Sequence, residues 1–544
     1  MVLRSRYVVA LFALFVSLAT VASFVITKPR SEAAVLVDRF VAALDQRDVA
    51  AAAALTSYPN AAAQTISAMF DSMGPGVSTS RMSQYIGLDD DSGFFTIDSA
   101  WKFGEPRGED SREWHVTTQG SARKLGIGWR ISWDPSILAP DLAAGGSVRY
   151  VRTDAPAPRI LDTTGAIMMA EQNVASVRLD PSATNDLEDT TNRLADVIDV
   201  VAPLITSETL LAEVAAEPDR VINAVNLRAD DYAVLEDDLR AIPGVVLYAE
   251  PKLITSDRRL TSPVLDSLRD VWQDARDATS GWAVEVTDPD GETTRAAGFQ
   301  GPGSPDIAST VDPSVQLAAE TAAVSVGTPA SIVVVRPSTG AIVATAQNSY
   351  ANSSGTPAFT TLYPAGTLVD TVAASADRQK IGFSDAARQF GLGTSFDVPG
   401  LDVITASLPD GRSAIDRFRG VSNKKSTEMT VTPFGLAEMA AALSRGSAPA
   451  PMIVRGTPAT VRSPGSAVAP AVLSSLRNTM RESAATEGVD GSVAGLSGDN
   501  GDDRWFLGTT GDLAFAVYIE DADSTDSAAR MTNMLMRELA SPSE

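Results

Sequence analysis

A hydroxyl and a carboxylate lie three residues apart at Thr367 and Asp370, in the run Leu362-Tyr-Pro-Ala-Gly-Thr-Leu-Val-Asp370. Three residues are about one turn of an α-helix, so we expect both side chains on one face, within hydrogen-bond reach. A hydroxyl becomes a useful nucleophile only when a neighbouring base removes its proton. An exposed carboxylate, with a pKa of about 4, is a weak base for this purpose. The pair has the spacing of a nucleophile and its base, but poor chemistry for that role.

Few other side chains offer reactive chemistry. The chain has no cysteine and one histidine, His115. This composition excludes disulfides, thiolate catalysis, cysteine-ligated metals and histidine-rich zinc sites. His115 lies in the strand-like run Trp114-His115-Val116, which favours a structural role. We therefore expect no metal and no cofactor.

The charge of the chain limits its partners. It has 44 basic and 68 acidic residues, for a net charge of −24. Nucleic acid is excluded as a partner, because binding it needs a basic surface. The acidic excess is interpreted as serving solubility. With 544 residues, the chain is too long for one core, and two to four domains are expected.

The N-terminal region predicts a membrane segment. Arg4 and Arg6 precede an uncharged run over 7–27, which is long enough to span a bilayer as a helix. Positive charge before the run places residues 1–6 in the cytoplasm. We predict a single-pass protein of the cytoplasmic membrane, with the bulk of the chain extracytoplasmic. Cleavage at small residues within the run would instead give a secreted protein.

The run ending at Asp370 resembles the nucleophile turn of the class B penicillin-binding proteins, a Tyr-Pro-Pro-Gly-Ser-x-x-Lys-like segment that opens a buried helix. The family has serine where Thr367 lies and lysine where Asp370 lies. Here a methyl group hinders the hydroxyl, and a carboxylate replaces the amine that serves as base. The resemblance therefore includes the residues around the nucleophile and base of this motif but not those two residues themselves.

The family's other two catalytic motifs are also altered. Val493-Ala-Gly-Leu-Ser-Gly498 resembles the family's Val-Ala-Gly-Lys-Thr-Gly, so Leu496 replaces a lysine that binds the substrate carboxylate. Ser497 keeps a hydroxyl and Gly498 keeps the close backbone approach. The family's Ser-x-Asn motif is absent from the 22 residues between Thr367 and Phe390. Ser422-Asn423 lies after this interval, and the role is not assigned to it.

Further stretches resemble the family in the same order along the chain. They are Arg159–Gly165, Ser309–Gln316, the hairpin Ser331–Ala346 with its Pro-Ser-Thr-Gly turn, Phe390–Gly393, Thr432–Ala440 and Leu513–Glu520. Arg159–Gly165 is similar to the signature that begins the pedestal region, and the others are similar to segments of the transpeptidase domain. We expect Ser331–Ala346 and Leu513–Glu520 to share one sheet.

The resemblance implies a multidomain α+β fold: a membrane helix, an NTF2-like cone, a pedestal domain and a penicillin-binding transpeptidase-like α/β sandwich. The predicted domains are 32–140 (NTF2-like), 150–303 (pedestal, or dimerisation-like) and 304–541 (transpeptidase-like). Because the interval before Phe390 is short, the helical lobe should be reduced, with one or two short helices in 372–389.

The resemblance also implies a role outside the membrane in cell-wall synthesis. The degenerate family positions Thr367, Asp370, Leu496, Ser497 and Gly498 favour a pseudo-enzyme that holds peptidoglycan-synthesis or cell-division membrane proteins. The membrane would be contacted through 7–27. Two alternatives stay open: a D,D-transpeptidase with an altered active site, and a module that binds wall peptides or glycans.

Overall fold

The computed structural model describes residues 31–74, 76–104, 112–217, 220–408, 429–462 and 464–541. The predicted membrane run at 7–27, the cytoplasmic residues 1–6 and the pair Ser422-Asn423 lie outside these ranges. Within them, no helix has both the length and the apolar character needed to cross a membrane.

The protein mixes helices and strands, as an α+β composition predicts. The helices are α1 (Glu32–Asp45), α2 (Val49–Ala54), α3 (Pro59–Ser72), α4 (Leu187–Ile198), α5 (Ser207–Ala216), α6 (Ala229–Arg240), α7 (Pro263–Ala278), α8 (Pro313–Val324), α9 (Ser349–Asn352), α10 (Pro357–Thr360), α11 (Val369–Gln379), α12 (Phe383–Gln389), α13 (Pro433–Arg445), α14 (Pro470–Thr486) and α15 (Ser527–Ala540).

The strands form several separate sheets. They are β1 (Val77–Gly87), β2 (Ser92–Lys102), β3 (Glu113–Leu125), β4 (Gly128–Ser132), β5 (Ser147–Thr153), β6 (Ile160–Leu161), β7 (Ile167–Leu179), β8 (Ile222–Arg228), β9 (Val245–Thr255), β10 (Gly281–Thr287), β11 (Thr293–Phe299), β12 (Ile307–Ala308), β13 (Ala330–Arg336), β14 (Ala341–Gln347), β15 (Tyr363–Pro364), β16 (Ser395–Asp397), β17 (Ala406–Ser407), β18 (Thr430–Val431), β19 (Thr460–Arg462), β20 (Ala494–Asn500), β21 (Asp503–Thr510) and β22 (Leu513–Ile519).

The chain divides into two compact units. The first comprises Met1–Pro156 and Ala278–Gly303, and its described part holds the antiparallel sheet β1-β2-β3-β4 and the smaller sheet β11-β10-β5. Helix α1 begins at the cap Ser31 and buries one face, which includes Phe40. The β10–β11 hairpin turns over 288–292, and its strand β10 pairs with β5. The predicted division into three domains stays a prediction.

The second unit comprises Ala157–Asp277 and Ser304–Glu544. It holds two described five-stranded sheets, one of order β12-β6-β7-β8 with β9 paired to β7, and one of order β14-β13-β22-β21-β20. The expectation that Ser331–Ala346 and Leu513–Glu520 share a sheet is confirmed, because β13 pairs with both β14 and β22. The expected short helices in 372–389 are also confirmed, as α11 and α12.

Helix α13 forms the centre of this unit's core. Thr432 caps it, as the Thr-Pro pattern predicts, by accepting a hydrogen bond from the Gly435 N–H at 2.9 Å. Every residue from Pro433 to Leu443 is buried. Glu438 is among them, and neither of its carboxyl oxygens has a hydrogen-bond partner within the described residues. Burial raises the pKa of Glu438 well above its ordinary value.

Candidate functional site

The turn that carries Thr367 packs directly against strand β20. Gly366–Leu368 form a single 3-10 turn that leads into α11. A Cβ at Gly366 would lie 1.8 Å from the carbonyl oxygen of Asp499, and a Cβ at Gly498 would lie 2.4 Å from Cγ of Leu368. Only glycine fits at such approaches. The two altered motifs therefore meet in space, although 132 residues separate Thr367 from Asp499.

The hydroxyl of Thr367 is hydrogen-bonded to one residue in two ways. It donates to Oδ1 of Asp499 at 3.1 Å. It also accepts from the backbone N–H of Asp499 at 3.1 Å. Asp499 lies one residue after Gly498, beyond the motif that the sequence singled out. The one signal for Asp499 in the sequence is its position directly after the glycine of a Lys-Thr-Gly-like run.

Asp370 is not the partner of Thr367. Both residues are exposed, and Asp370 lies in the first turn of α11. Within the described ranges, the side-chain hydrogen bonds of Thr367 run to Asp499 and none joins it to Asp370. The spacing of one helical turn therefore does not produce the expected contact, because the hydroxyl is directed towards β20.

Leu496 belongs to the hydrophobic core. Its side chain is 7% exposed and lies in the same buried cluster as Leu368 and Tyr518. Its register partner on β21 is Leu507. The sequence assigns Leu496 to the position of a cleft lysine, whereas the structure packs it among apolar side chains.

Ser497 has a separate local partner. Its hydroxyl donates to Oε1 of Glu487 at 3.0 Å. Glu487 is the C-cap residue that directly follows α14. Alternate residues of a strand project to opposite faces, so Ser497 and Leu496 point away from each other. The retained hydroxyl is thus used in a contact between β20 and the end of a helix.

An aromatic cluster lies beside the turn. The ring of Tyr518 is 4.1 Å from that of Tyr363 and 4.2 Å from that of Trp505. Trp505 Nε1 donates to the carbonyl oxygen of Pro364 at 3.1 Å, which holds the turn against β21. Burial, with a smaller contribution from Glu520, raises the pKa of Tyr363 to about 12. Burial also raises the pKa of Tyr518, whose hydroxyl has no partner within the described residues.

Acidic side chains gather where β20, β21 and β22 meet at this end of the sheet. Asp503 begins β21, opposite Asn500, and Glu520 follows β22. Desolvation raises the pKa of Glu520, and the nearby Asp503 and Asp521 add to this rise. Arg504, opposite Asp499, donates to the carbonyl oxygens of Gly501 and Asp503. The surroundings of Thr367 are therefore rich in carboxylates, which disfavour an anionic ligand.

The described part of the chain contains no cluster of three or more acidic or histidine side chains suited to a metal ion. His115, on β3, instead contacts Oε2 of Glu113 through Nε2 at 3.1 Å.

No protein-family model matches the chain, and no curated protein matches it either.

Proposed function

We propose that this chain is an exported, penicillin-binding-protein-like factor of peptidoglycan synthesis, and that its transpeptidase-like domain is a non-catalytic scaffold or regulator. In this proposal the domain succession is the one that the sequence resemblance implies: an NTF2-like cone, a pedestal and a transpeptidase-like sandwich. The observation that carries the proposal is the engagement of the Thr367 hydroxyl by Asp499.

This engagement is unfavourable for acyl transfer. A serine-type nucleophile needs a base that accepts its proton and leaves the oxygen free to attack. The Thr367 oxygen already accepts a hydrogen bond from a backbone N–H and donates its proton to the Asp499 carboxylate. An exposed carboxylate is a poor base for a hydroxyl. The contact is better suited to fixing the turn on the strand than to activating the oxygen.

The surroundings also oppose the substrate class of the family. Stem peptides and β-lactams both carry a carboxylate, which active enzymes attract with a cation. At Leu496 the corresponding side chain is apolar and buried. Asp499, Asp503 and Glu520 place negative charge at the same end of the sheet. Repulsion adds to the loss of the nucleophile and base, and it favours a scaffold role over a catalytic one.

A scaffold role has a direct cellular test. The chain should be crosslinked in cells to membrane proteins of peptidoglycan synthesis or division. A Thr367→Val variant should give the same crosslinks and should rescue a deletion strain as well as the wild type does, because no turnover depends on the hydroxyl. Loss of rescue by Thr367→Val, with normal protein abundance, would support the transpeptidase alternative instead.

A further inference from the structure

Two hairpin tips lie side by side at one end of the β1–β4 sheet in the first unit. Residues 88–91 join β1 to β2, and residues 126–127 join β3 to β4. Ser92 and Arg123 are register partners on the antiparallel strands β2 and β3. Both turns therefore project from the same end of the sheet.

These tips carry large apolar side chains that face water. The exposed fractions are 50% for Ile86, 61% for Leu88, 53% for Phe94, 43% for Leu125 and 73% for Ile127. Ile86 and Phe94 are direct register partners, so the exposed groups of the first hairpin adjoin each other. Single exposed apolar residues are ordinary, but a group concentrated on two adjacent tips marks an interaction surface.

The residues on either side of the second tip are typical of a segment that enters the surface of a bilayer. Lys124 and Trp129 are register partners just inside it, and Arg123 pairs with Arg130 one step further in. Long basic side chains favour the interface between lipid and water, where their apolar stems and charged ends are both accommodated. The Trp129 side chain is partly buried and packs against the core of the first unit.

Charge does not select an anionic partner for this surface. The three basic residues Arg123, Lys124 and Arg130 are balanced by three aspartates at 89–91 in the first tip. Lys124 Nζ lies 3.9 Å from Oδ1 of Asp91. With no net charge, the surface depends on its apolar groups, so a neutral zwitterionic bilayer is sufficient.

The direction of helix α1 indicates which end of the first unit its first residues occupy. Its last residue, Asp45, accepts a hydrogen bond from the N–H of Ser80, a residue of β1 distant from the tips. The helix also contacts β4, which begins at the second tip. Followed back from Asp45, α1 therefore runs towards the tips, and Ser31 lies at that end of the unit.

The chain that precedes Ser31 is short. Only residues 28–30 lie between Ser31 and the end of the predicted membrane run at 7–27. An extended chain spans about 3.5 Å per residue, so such a link holds the start of α1 within roughly 15 Å of the membrane. This step rests on the predicted membrane helix, and it is independent of whether the second unit is catalytic.

We propose that these two hairpin tips insert Leu88, Leu125 and Ile127 into the surface of the lipid bilayer that anchors the chain. The contact would give the first unit a second attachment to the membrane besides the N-terminal run. It would thereby fix the orientation of this unit at the bilayer surface.

The absence of cysteine makes a clean test available. Single-cysteine variants Ile127→Cys and Val77→Cys are made in the full chain and labelled with an environment-sensitive fluorophore. Val77 is the matched control, because it is 63% exposed and begins β1 at the opposite end of the same sheet. Each labelled protein is reconstituted in phosphatidylcholine vesicles, with and without a lipid that carries a nitroxide on its acyl chain.

The label at position 127 should shift to the blue and lose most of its fluorescence to the acyl-chain nitroxide, while the label at position 77 should do neither. A labelled Ile127→Cys protein that also carries Leu125→Asp should lose the shift. Equal quenching at both positions, or none at either, would overturn the proposal; in the second case the tips would remain free for a protein partner. A β-lactam experiment on the same protein tests the proposed function separately.

Discussion

Gly366 and Asp499 meet backbone against backbone, so closely that a Cβ on Gly366 would lie 1.8 Å from the Asp499 carbonyl oxygen. The φ of Gly366 is +54°, in the left-handed region that favours glycine. The contact brings the Thr367 turn to the end of β20 and sets the position of the Thr367 hydroxyl. This packing, and not catalysis, is the function that we assign to the retained glycine.

A matched pair of substitutions tests that assignment. Gly511 has the same φ of +54° but nothing within 4 Å of a Cβ. Gly511→Ala should cost about 1–2 kcal/mol, which is the strain of the left-handed conformation alone. Gly366→Ala should lower the unfolding temperature much further, because the strand must also move away. Equal unfolding temperatures for the two variants would contradict the contact.

The buried position of Leu496 gives a second prediction. Leu496→Lys introduces the residue that the resembled family has at this position, but it places an ammonium group in the core and should destabilise the protein by about 3–5 kcal/mol. Ser497→Lys is the control on the neighbouring residue, where Glu487 is available as an ion-pair partner. It should unfold at nearly the wild-type temperature. A Leu496→Lys protein as stable as the control would mean that position 496 opens to solvent.

The contact between Thr367 and Asp499 predicts a measurable coupling. Thr367→Val removes both hydrogen bonds and should cost about 1 kcal/mol, whereas Thr367→Ser keeps both and should cost less than about 0.5 kcal/mol. In an Asp499→Ala background the valine substitution should cost less, because one of the two bonds is already lost. Urea unfolding of the four proteins of this cycle gives the coupling, and strict additivity would refute it.

Glu438 makes stability depend on pH. Its folded-state pKa is raised by burial above the ordinary 4.5, so the folded protein holds this proton more tightly than the unfolded chain does. The associated stability is fully present below about pH 4.5 and is lost as the pH rises towards the folded-state pKa.

Glu438→Gln stays neutral and should therefore gain unfolding temperature relative to the wild type between pH 4.5 and 8. Glu482→Gln, at an exposed position of α14, serves as the control and should show no such trend. If the unfolding temperatures of Glu438→Gln and the wild type differ by a constant amount over this range, burial of Glu438 has no effect on the pH dependence of stability.

Local patterns predicted much of the fold. The Thr432-Pro433 pair specifies a helix start by chemistry that lies within a few residues, and α13 begins there. The turn at 337–340, flanked by β-branched residues, likewise predicts the hairpin β13–β14. These features depend on short-range preferences that a single sequence contains.

The geometry of the candidate site depends on contacts between residues that are distant in the sequence, and local patterns do not predict such contacts. Thr367 and Asp370 have the right helical spacing, but the hydroxyl is captured by a residue 132 positions away. The motif resemblance around Leu496 does not state which face of the strand meets the core. Strands β5 and β10 pair although the first segment of the second unit, Ala157–Asp277, lies between them in the sequence. No local pattern predicts this pairing either.

We expect that the second unit does not react with β-lactams. The most direct measurement is intact-mass spectrometry of the purified full-length protein after incubation with penicillin, beside an active class B enzyme as the positive control. We expect no mass increase, because Thr367 lacks an effective base and its hydroxyl is held by the Asp499 carboxylate. The variant with Thr367→Ser, Asp370→Lys and Leu496→Lys should also remain unmodified. A penicilloyl adduct located on Thr367 would contradict the account and establish the transpeptidase alternative.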